Sequence, residues 1–114
     1  MPKVLLAEDD PTMLSLLQTL LKMEGFDVMA LDTHADVPAA VQQEKPDILL
    51  MDVHLGQQSG MQILETIRKD SDLSGLRIVM TSGSNVQDEC LSHGANAFLL
   101  KPFMPDDLLQ LLRK

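Results

Sequence analysis

The sequence has no tryptophan and no tyrosine, and it has only one cysteine. With three phenylalanines as its only aromatic residues, the chain has to build its core from aliphatic residues and methionine. The single cysteine, Cys90, excludes an internal disulfide and is typical of a protein from a reducing compartment. No apolar run approaches the roughly 20 residues of a membrane span, and the acidic Glu8 comes too early for a signal peptide. We therefore expect a cytoplasmic protein.

Basic residues are also scarce. There are 9 of them against 17 acidic residues, which gives a formal net charge of −8 at pH 7. Such a surface repels nucleic acids and anionic membranes, so we expect no direct partner of either kind. The 114 residues suffice for one domain with a hydrophobic core, and we predict a single domain over residues 1–114.

What the chain does contain is five short apolar runs separated by segments with helical periodicity. None of the runs alternates with polar residues, which predicts strands covered on both faces, as in a parallel sheet. The predicted strands are residues 4–7, 28–31, 48–51, 78–80 and 97–100. The first helix is predicted from Pro11 to just before Gly25, with an apolar face formed by Met13, Leu16, Leu17, Leu20 and Leu21. The other helices are predicted over residues 36–43, 60–69, 85–93 and 105–113.

This regular alternation predicts an α/β fold. We expect a flavodoxin-like (βα)5 three-layer sandwich, with a parallel five-stranded sheet in the order 2-1-3-4-5. In that order strands one and three are neighbours, and the chain reverses its direction of winding between them. Ligand chemistry in open α/β sheets lies at that point, outside the carboxyl ends of the strands.

Five polar residues follow the strands at that edge of the sheet. Glu8 and Asp9 come after strand one, and Asp52 comes after strand three. Thr81 comes after strand four and Lys101 after strand five. Because the carboxyl ends of parallel strands meet at one edge, we expect three carboxylates, a hydroxyl and an ammonium group to lie close together.

The carboxylates predict a metal site. Like charges in close proximity raise one another's pKa unless a cation neutralises them, and oxygen ligands open to water favour Mg²⁺ over a softer metal. We expect Glu8, Asp9 and Asp52 to hold the ion, with the backbone carbonyl of His54 as a further ligand. Asp10 has two open interpretations, as the N-cap of the first helix or as a residue that supports the metal ligands.

A metal ion among carboxylates, beside a threonine and a lysine, suits phosphoryl transfer. The metal and Lys101 neutralise phosphoryl oxygens, and a carboxylate in line with the phosphorus can act as the nucleophile, giving an aspartyl phosphate. Asp52 is the candidate nucleophile, because strand three is central and its carboxyl end faces strand one.

Four stretches of the chain together resemble the response-regulator receiver domain, the phosphoacceptor module of two-component signalling. They are VLLAEDDP (4–11), PDILLMDVHLGQQSG (46–60), IVMTSG (78–83) and FLLKPF (98–103). The resemblance runs from residue 3 to the last helix. It implies that Glu8 and Asp9 are the acidic metal-binding pair and that Asp52 is phosphorylated. It also implies that the Thr81 hydroxyl contacts the phosphoryl group and that Lys101 pairs with it.

The resemblance carries three further expectations. Phe98 stands where the family has an aromatic switch residue, which would act together with Thr81. The Lys101–Pro102 peptide bond is expected to be cis. The family usually has proline where this chain has Gly56, so we expect a more flexible loop that holds the His54 carbonyl less firmly.

The function that follows is a phosphorylation-dependent signalling switch. A histidine kinase or phosphotransfer protein would donate a phosphoryl group to Asp52 in a Mg²⁺-dependent reaction, and a downstream protein would bind the face formed by helix four, strand five and helix five. Such a domain is not an enzyme in the usual sense, since it catalyses only its own phosphorylation and dephosphorylation.

Three alternatives are weaker. A small Mg²⁺-dependent phosphatase that forms an aspartyl phosphate would need an acid/base carboxylate two residues beyond Asp52, where His54 stands. A flavodoxin-type flavin carrier would need a Ser/Thr/Gly-rich phosphate loop after strand one and tryptophan or tyrosine rings for stacking, and this chain has neither. A receiver-like domain that is never phosphorylated is disfavoured because every position of the site is filled.

Overall fold

The structure, a computed structural model, describes residues 2–113. Its strands are Lys3–Ala7 (β1), Asp27–Ala30 (β2), Ile48–Asp52 (β3), His54–Leu55 (β4), Gln58–Ser59 (β5), Arg77–Ser82 (β6) and Ala97–Leu100 (β7). Its α-helices are Pro11–Met23 (α1), Val37–Glu44 (α2), Gly60–Lys69 (α3), Gln87–Ser92 (α4) and Pro105–Leu112 (α5). A 3₁₀ turn, Ser71–Leu73, follows α3. Within the described range, no helix is long and apolar enough to cross a membrane.

Five parallel strands form the central sheet in the order β2-β1-β3-β6-β7. This order confirms the predicted 2-1-3-4-5 arrangement, because β4 and β5 pair only with each other as a small antiparallel hairpin. At the carboxyl edge of the sheet, Asp52 at the end of β3 lies in register with Thr81 of β6.

The core consists of two apolar layers, one on each face of the sheet. Alternate residues of the central strands point into different layers, so that Leu5 belongs to one and Leu6 to the other. Helices α2, α3 and α4 cover the first layer, and α1 and α5 cover the second. Strands β1, β3 and β6 are therefore buried on both sides, as their continuous apolar runs predict. The two edge strands depart from that prediction, since Met29 of β2 is 39% exposed and Leu100 of β7 is 46% exposed.

The predicted apolar face of α1 is wrong at one position. Leu17 and Leu21 are buried, but Leu16 is 62% exposed. Leu14, which the predicted face did not include, packs at the edge of the core instead, together with the predicted Leu20. The helix is so rich in leucine that several apolar faces fit its sequence, and only contact with the sheet selects one of them.

The sequence pattern missed two local features. The hairpin of β4 and β5 has strands of only two residues each, too short to show an alternating pattern. Helix α4 begins two residues later than predicted, because the Asn85 side chain accepts a hydrogen bond from the Gln87 N–H and holds the chain in a turn.

At the amino end of the parallel strands, the first residue of β6 contacts the last turn of α5. The Arg77 guanidinium donates hydrogen bonds to the backbone carbonyls of Leu111 and Leu112, in the last turn of that helix. An ion pair of 2.7 Å between Arg113 and Glu24 joins the ends of α5 and α1. Cationic groups beside the last carbonyls stabilise a helix terminus.

Candidate functional site

Three carboxylates converge at the carboxyl edge of β1 and β3. Glu8 directly follows β1 and is only 4% exposed, whereas its neighbour Asp9 is exposed. Asp52 is the last residue of β3 and is 8% exposed. One carboxylate oxygen from each residue lies within 4.8 Å of the other two. The convergence predicted from the strand order is therefore present, and these oxygens form a set of hard ligands that suits Mg²⁺.

Lys101 lies between two of these carboxylates. Its Nζ donates hydrogen bonds to Glu8 Oε1 and Asp52 Oδ2, each at 2.6 Å. The backbone fixes this approach, because the Lys101 N–H donates to the Ser82 carbonyl at 2.8 Å and continues the pairing of β6 with β7. The Lys101–Pro102 peptide bond is cis, as the resemblance implied.

Burial and the interactions with neighbouring charged groups act in opposite directions on the pKa of Glu8 and on that of Lys101. Burial raises the pKa of Glu8 above its ordinary value, and the hydrogen bonds from Lys101 and from the Asp10 N–H oppose that rise. Burial disfavours the charged form of Lys101, but its hydrogen bonds to Asp52 and Glu8 outweigh this cost and leave its pKa raised. Lys101 is thus held as a cation among three carboxylates. One ammonium group faces three carboxyl groups, so the site has a formal excess of negative charge that a divalent cation would neutralise.

The segment after Asp52 folds back onto the site. The His54 N–H donates to Asp52 Oδ1 at 3.0 Å, and the Val53 N–H donates to the Thr81 carbonyl at 2.8 Å. The His54 side chain is exposed, while Thr81 is 3% exposed beside Asp52. The roles of the His54 carbonyl as a metal ligand and of the Thr81 hydroxyl as a phosphoryl contact remain predictions.

The loop that carries Gly56 makes hydrogen bonds to the loops after β1 and β2, and its greater flexibility remains a prediction. It forms the turn between β4 and β5, and Gly56 has a φ of +59°, in the left-handed region that favours glycine. Its N–H donates to Asp9 Oδ2 at 3.0 Å. The Gln58 side-chain amide ties the hairpin to the loop after β2, donating to the carbonyls of Thr33 at 2.7 Å and Ala35 at 3.2 Å.

Sequence reasoning missed the Gly56 hydrogen bond because a backbone N–H carries no side-chain signal. The one available sign was the glycine itself, at a position where the family usually has proline. Gly60 is a second unpredicted feature. A Cβ atom built on it would lie 2.3 Å from the Asp52 carbonyl oxygen, so the first turn of α3 packs directly against the backbone of Asp52.

Two further predicted residues lie beside the cluster. Asp10 is the N-cap of α1, since its side chain accepts from the N–H groups of Thr12 at 2.9 Å and Met13 at 3.3 Å. The capping interpretation of Asp10 is therefore confirmed, and its backbone N–H also donates to Glu8 Oε2 at 3.1 Å. Phe98 lies in β7, half-buried and in register with Met80 of β6. Its role as a switch residue remains a prediction.

Comparisons with known proteins agree with this geometry. The family model of the response regulator receiver domain matches residues 4–113. The DNA-binding response regulator MtrA of Mycolicibacterium smegmatis is 32% identical to this chain over 97% of it, and the match covers 49% of MtrA. The hybrid signal transduction histidine kinase C of Dictyostelium discoideum is 31% identical over 98% of the chain and 10% of the kinase. The chain thus spans about half the length, or less, of these curated relatives.

Solved structures show the same fold. The chemotaxis response regulator CheY4 of Vibrio cholerae superposes with a TM-score of 0.88 at 26% identity, covering 99% of this chain and 97% of that one. The receiver domain of the sensor histidine kinase PA1611 from Pseudomonas aeruginosa superposes with a TM-score of 0.86 at 25% identity, covering 98% and 94%. In that protein a magnesium ion is coordinated in the active-site cleft. The chain described here belongs to the response regulator receiver domain family, the signalling domains of two-component systems.

Proposed function

We propose that Asp52 accepts a phosphoryl group from a phosphohistidine of a histidine kinase or phosphotransfer protein. The observation that carries this proposal is the position of the Asp52 carboxylate, which ends the central strand β3 and lies 2.6 Å from the Lys101 Nζ. The same carboxylate belongs to the cluster with Glu8 and Asp9. A nucleophile, a fixed cation and a set of hard metal ligands thus meet at one point.

The reaction is a displacement at phosphorus. An oxygen of the Asp52 carboxylate attacks the phosphorus, the P–N bond to the donor imidazole breaks, and its electron pair returns to the imidazole nitrogen. The product is an aspartyl phosphate. Hydrolysis later returns the Asp52 carboxylate and inorganic phosphate. The domain therefore catalyses only its own phosphorylation and dephosphorylation.

Glu8, Asp9 and Asp52 hold Mg²⁺ in this proposal, with the His54 carbonyl as a further ligand. When bound, the ion neutralises charge on the phosphoryl oxygens during transfer. Burial of Glu8 limits the freedom of its carboxylate, whereas the exposed Asp9 leaves one side of the cluster open to water and to the donor. A site that keeps part of its coordination open is the arrangement that Mg²⁺ prefers.

Lys101 and Thr81 respond to the new group. In the phosphorylated form, the Lys101 Nζ donates to a phosphoryl oxygen instead of to Asp52 Oδ2, which it contacts in this structure. Thr81 lies in register with Asp52, so its hydroxyl can donate to the phosphoryl group from the neighbouring strand. Both residues thereby couple the charge at Asp52 to the ends of β6 and β7.

The readout is a change in the surface formed by α4, β7 and α5, to which Phe98 contributes from β7. This surface carries exposed apolar side chains, with Leu91 41%, Leu100 46% and Met104 67% exposed. A downstream protein binds there, and the phosphoryl group shifts the equilibrium between two arrangements of that surface.

The decisive experiment is phosphate incorporation from a small phosphodonor in the presence of Mg²⁺. Wild type should acquire an acid-stable, base-labile acyl phosphate and Asp52→Asn should acquire none, because an amide is not a nucleophile of this kind. Asp47→Asn is the matched control, since Asp47 is an exposed residue directly before the same strand. Incorporation that persists in Asp52→Asn, or that is lost equally in Asp47→Asn, would overturn the assignment.

A further inference from the structure

We propose that the backbone N–H of Gly56 positions the Asp9 carboxylate for metal binding, and that this single donor raises the affinity of the site for Mg²⁺. The inference rests on the proposed function, because it takes Asp9 as a metal ligand. It goes further in assigning a role to a residue whose side chain takes no part in the chemistry.

The three carboxylates of the cluster are not held equally. Each of the two buried ones accepts two hydrogen bonds on separate oxygens. Glu8 accepts from Lys101 and from the Asp10 N–H, and Asp52 accepts from Lys101 and from the His54 N–H. Burial restricts them further.

Asp9 lacks these restraints. It is exposed, and within residues 2–113 the one hydrogen bond to its carboxylate comes from the Gly56 N–H, at 3.0 Å. The two residues are 47 positions apart in the chain, so the contact joins the loop after β1 to the hairpin after β3. The orientation of the Asp9 carboxylate therefore depends on Gly56.

The donor is itself held in place. Gly56 occupies the turn of the hairpin between His54–Leu55 and Gln58–Ser59, whose strands pair in an antiparallel register. The Gln58 side chain fixes the hairpin to two carbonyls of the loop after β2, and the Gly60 N–H donates to the Val53 carbonyl at 2.7 Å. The N–H that donates to Asp9 thus belongs to a hairpin whose position is fixed by several hydrogen bonds.

The residue type matters at this position. A φ of +59° is readily adopted by glycine and tolerated by asparagine, and both residues keep the N–H. Proline has no N–H and fixes φ near −65°, so it can neither adopt this turn nor make the contact. Hydrogen bonds to ligating carboxylates typically change metal affinity by about 10- to 100-fold.

The test compares Mg²⁺ binding by wild type, Gly56→Pro and Gly56→Asn, using isothermal titration calorimetry. We expect Gly56→Pro to bind Mg²⁺ about tenfold or more weakly. Gly56→Asn should retain most of the affinity, because it keeps the N–H. A Cβ at this position would lie 3.7 Å from Thr33 Cβ, an ordinary van der Waals contact. Equal affinity in wild type and Gly56→Pro would overturn the inference.

A chain with glycolic acid in place of Gly56 removes the donor and adds no side chain. The ester oxygen replaces the N–H, and a similar loss of affinity is expected even if the proline variant fails to fold. A cross-hydrogen-bond coupling between the Gly56 amide nitrogen and the Asp9 side-chain carboxyl carbon, measured by NMR, reports the contact itself. Absence of that coupling would show that the contact does not form, and would overturn the inference.

A second comparison tests whether the effect passes through Asp9. In an Asp9→Ala background, which has no side-chain oxygen to accept the hydrogen bond, the ester should cause little further loss of Mg²⁺ affinity in an NMR titration. A full additional loss in that background would contradict the inference and leave the proposed function intact. Failure of wild type itself to bind Mg²⁺ would instead overturn the proposed function along with the inference.

Discussion

Gly60 is the residue at which α3 touches the backbone of Asp52. A Cβ there would lie 2.3 Å from the Asp52 carbonyl oxygen and 2.9 Å from Val53 Cα, both far inside van der Waals contact. We expect Gly60→Ala to lower the free energy of unfolding by about 1–3 kcal/mol, the usual cost of overpacking, in urea denaturation followed by circular dichroism.

Gly75 provides the matched control for this substitution. A Cβ at Gly75 meets no atom within 4 Å, so Gly75→Ala should change the free energy of unfolding by no more than about 0.5 kcal/mol. If the two alanine variants were equally stable, the close approach of Gly60 to Asp52 would not be a constraint on this fold.

The burial of Cys90 predicts that the free energy of unfolding depends on pH. Its side chain is fully buried, and burial, together with the neighbouring Glu89 carboxylate, raises the pKa of the thiol. The unfolded chain therefore releases the thiol proton at a lower pH than the folded chain does. As the pH rises past the unfolded thiol pKa of about 8.5, the free energy of unfolding should fall, with a slope approaching about 1.4 kcal/mol per pH unit.

The measurement is urea denaturation at a series of alkaline pH values. Cys90→Ala is the reference, since lysines and other groups that titrate in this range are common to both chains. The difference in stability between wild type and Cys90→Ala should shrink as the pH rises. A difference that stays constant over this range would show that the thiol ionises equally in the folded and unfolded chains.

Single residues also mark the limit of sequence reasoning. The convergence of Glu8, Asp52 and Lys101 was predictable, because strand order alone brings the ends of their strands together. The contact between the Gly56 N–H and Asp9 was not predictable, since it depends on a turn conformation and on a donor that every residue except proline carries.

At the level of elements, α5 begins without a capping side chain. Its N-cap residue is Met104, which has extended backbone dihedrals, is 67% exposed and makes no side-chain hydrogen bond to the first turn. Met104→Ser would place a hydroxyl where it can accept from the N–H groups of that turn. We expect this variant to be more stable by about 0.5–1 kcal/mol in urea denaturation. Met104→Ala, which provides no acceptor, is the control and should show no comparable gain.

Helix α4 shows why some boundaries are hard to predict. Its six residues include one buried side chain, that of Cys90. Two residues of α3 contact the residues that directly follow α4. Arg68 Nε donates to the Gly94 carbonyl, and Glu65 pairs with His93, each at 2.8 Å. The residues that make these contacts are far apart in the sequence, so the local pattern does not reveal where α4 ends. In contrast, the bounds of α3 match the prediction, because its apolar periodicity is strong.

For the whole molecule, the predicted layers and strand order are confirmed, because alternation of buried strands and amphipathic helices permits few topologies. The two apolar layers share the central strands, so the domain should respond as a unit to a ligand that binds its folded state.

Mg²⁺ should therefore raise the thermal unfolding temperature. A ligand at about 100 times its dissociation constant contributes about 2.7 kcal/mol to the folded state. With a net charge of −8, the chain also gains from simple screening, so NaCl at matched ionic strength is the control. We expect Mg²⁺ to stabilise wild type beyond the NaCl control and to stabilise Asp52→Asn less. An equal effect of both salts would contradict specific binding of the ion.

Strand β6 offers a fixed length inside the molecule. Its first residue, Arg77, holds the last turn of α5, and its far end places Thr81 beside Asp52. The strand has six residues, a length of about 20 Å, and it pairs with β3 on one side and β7 on the other. For spectroscopic probes placed at the end of α5 and beside Asp52, the length of β6 would serve as a fixed reference distance. A changed distance between them would then report movement of the helix or of the loop, because the strand itself does not stretch.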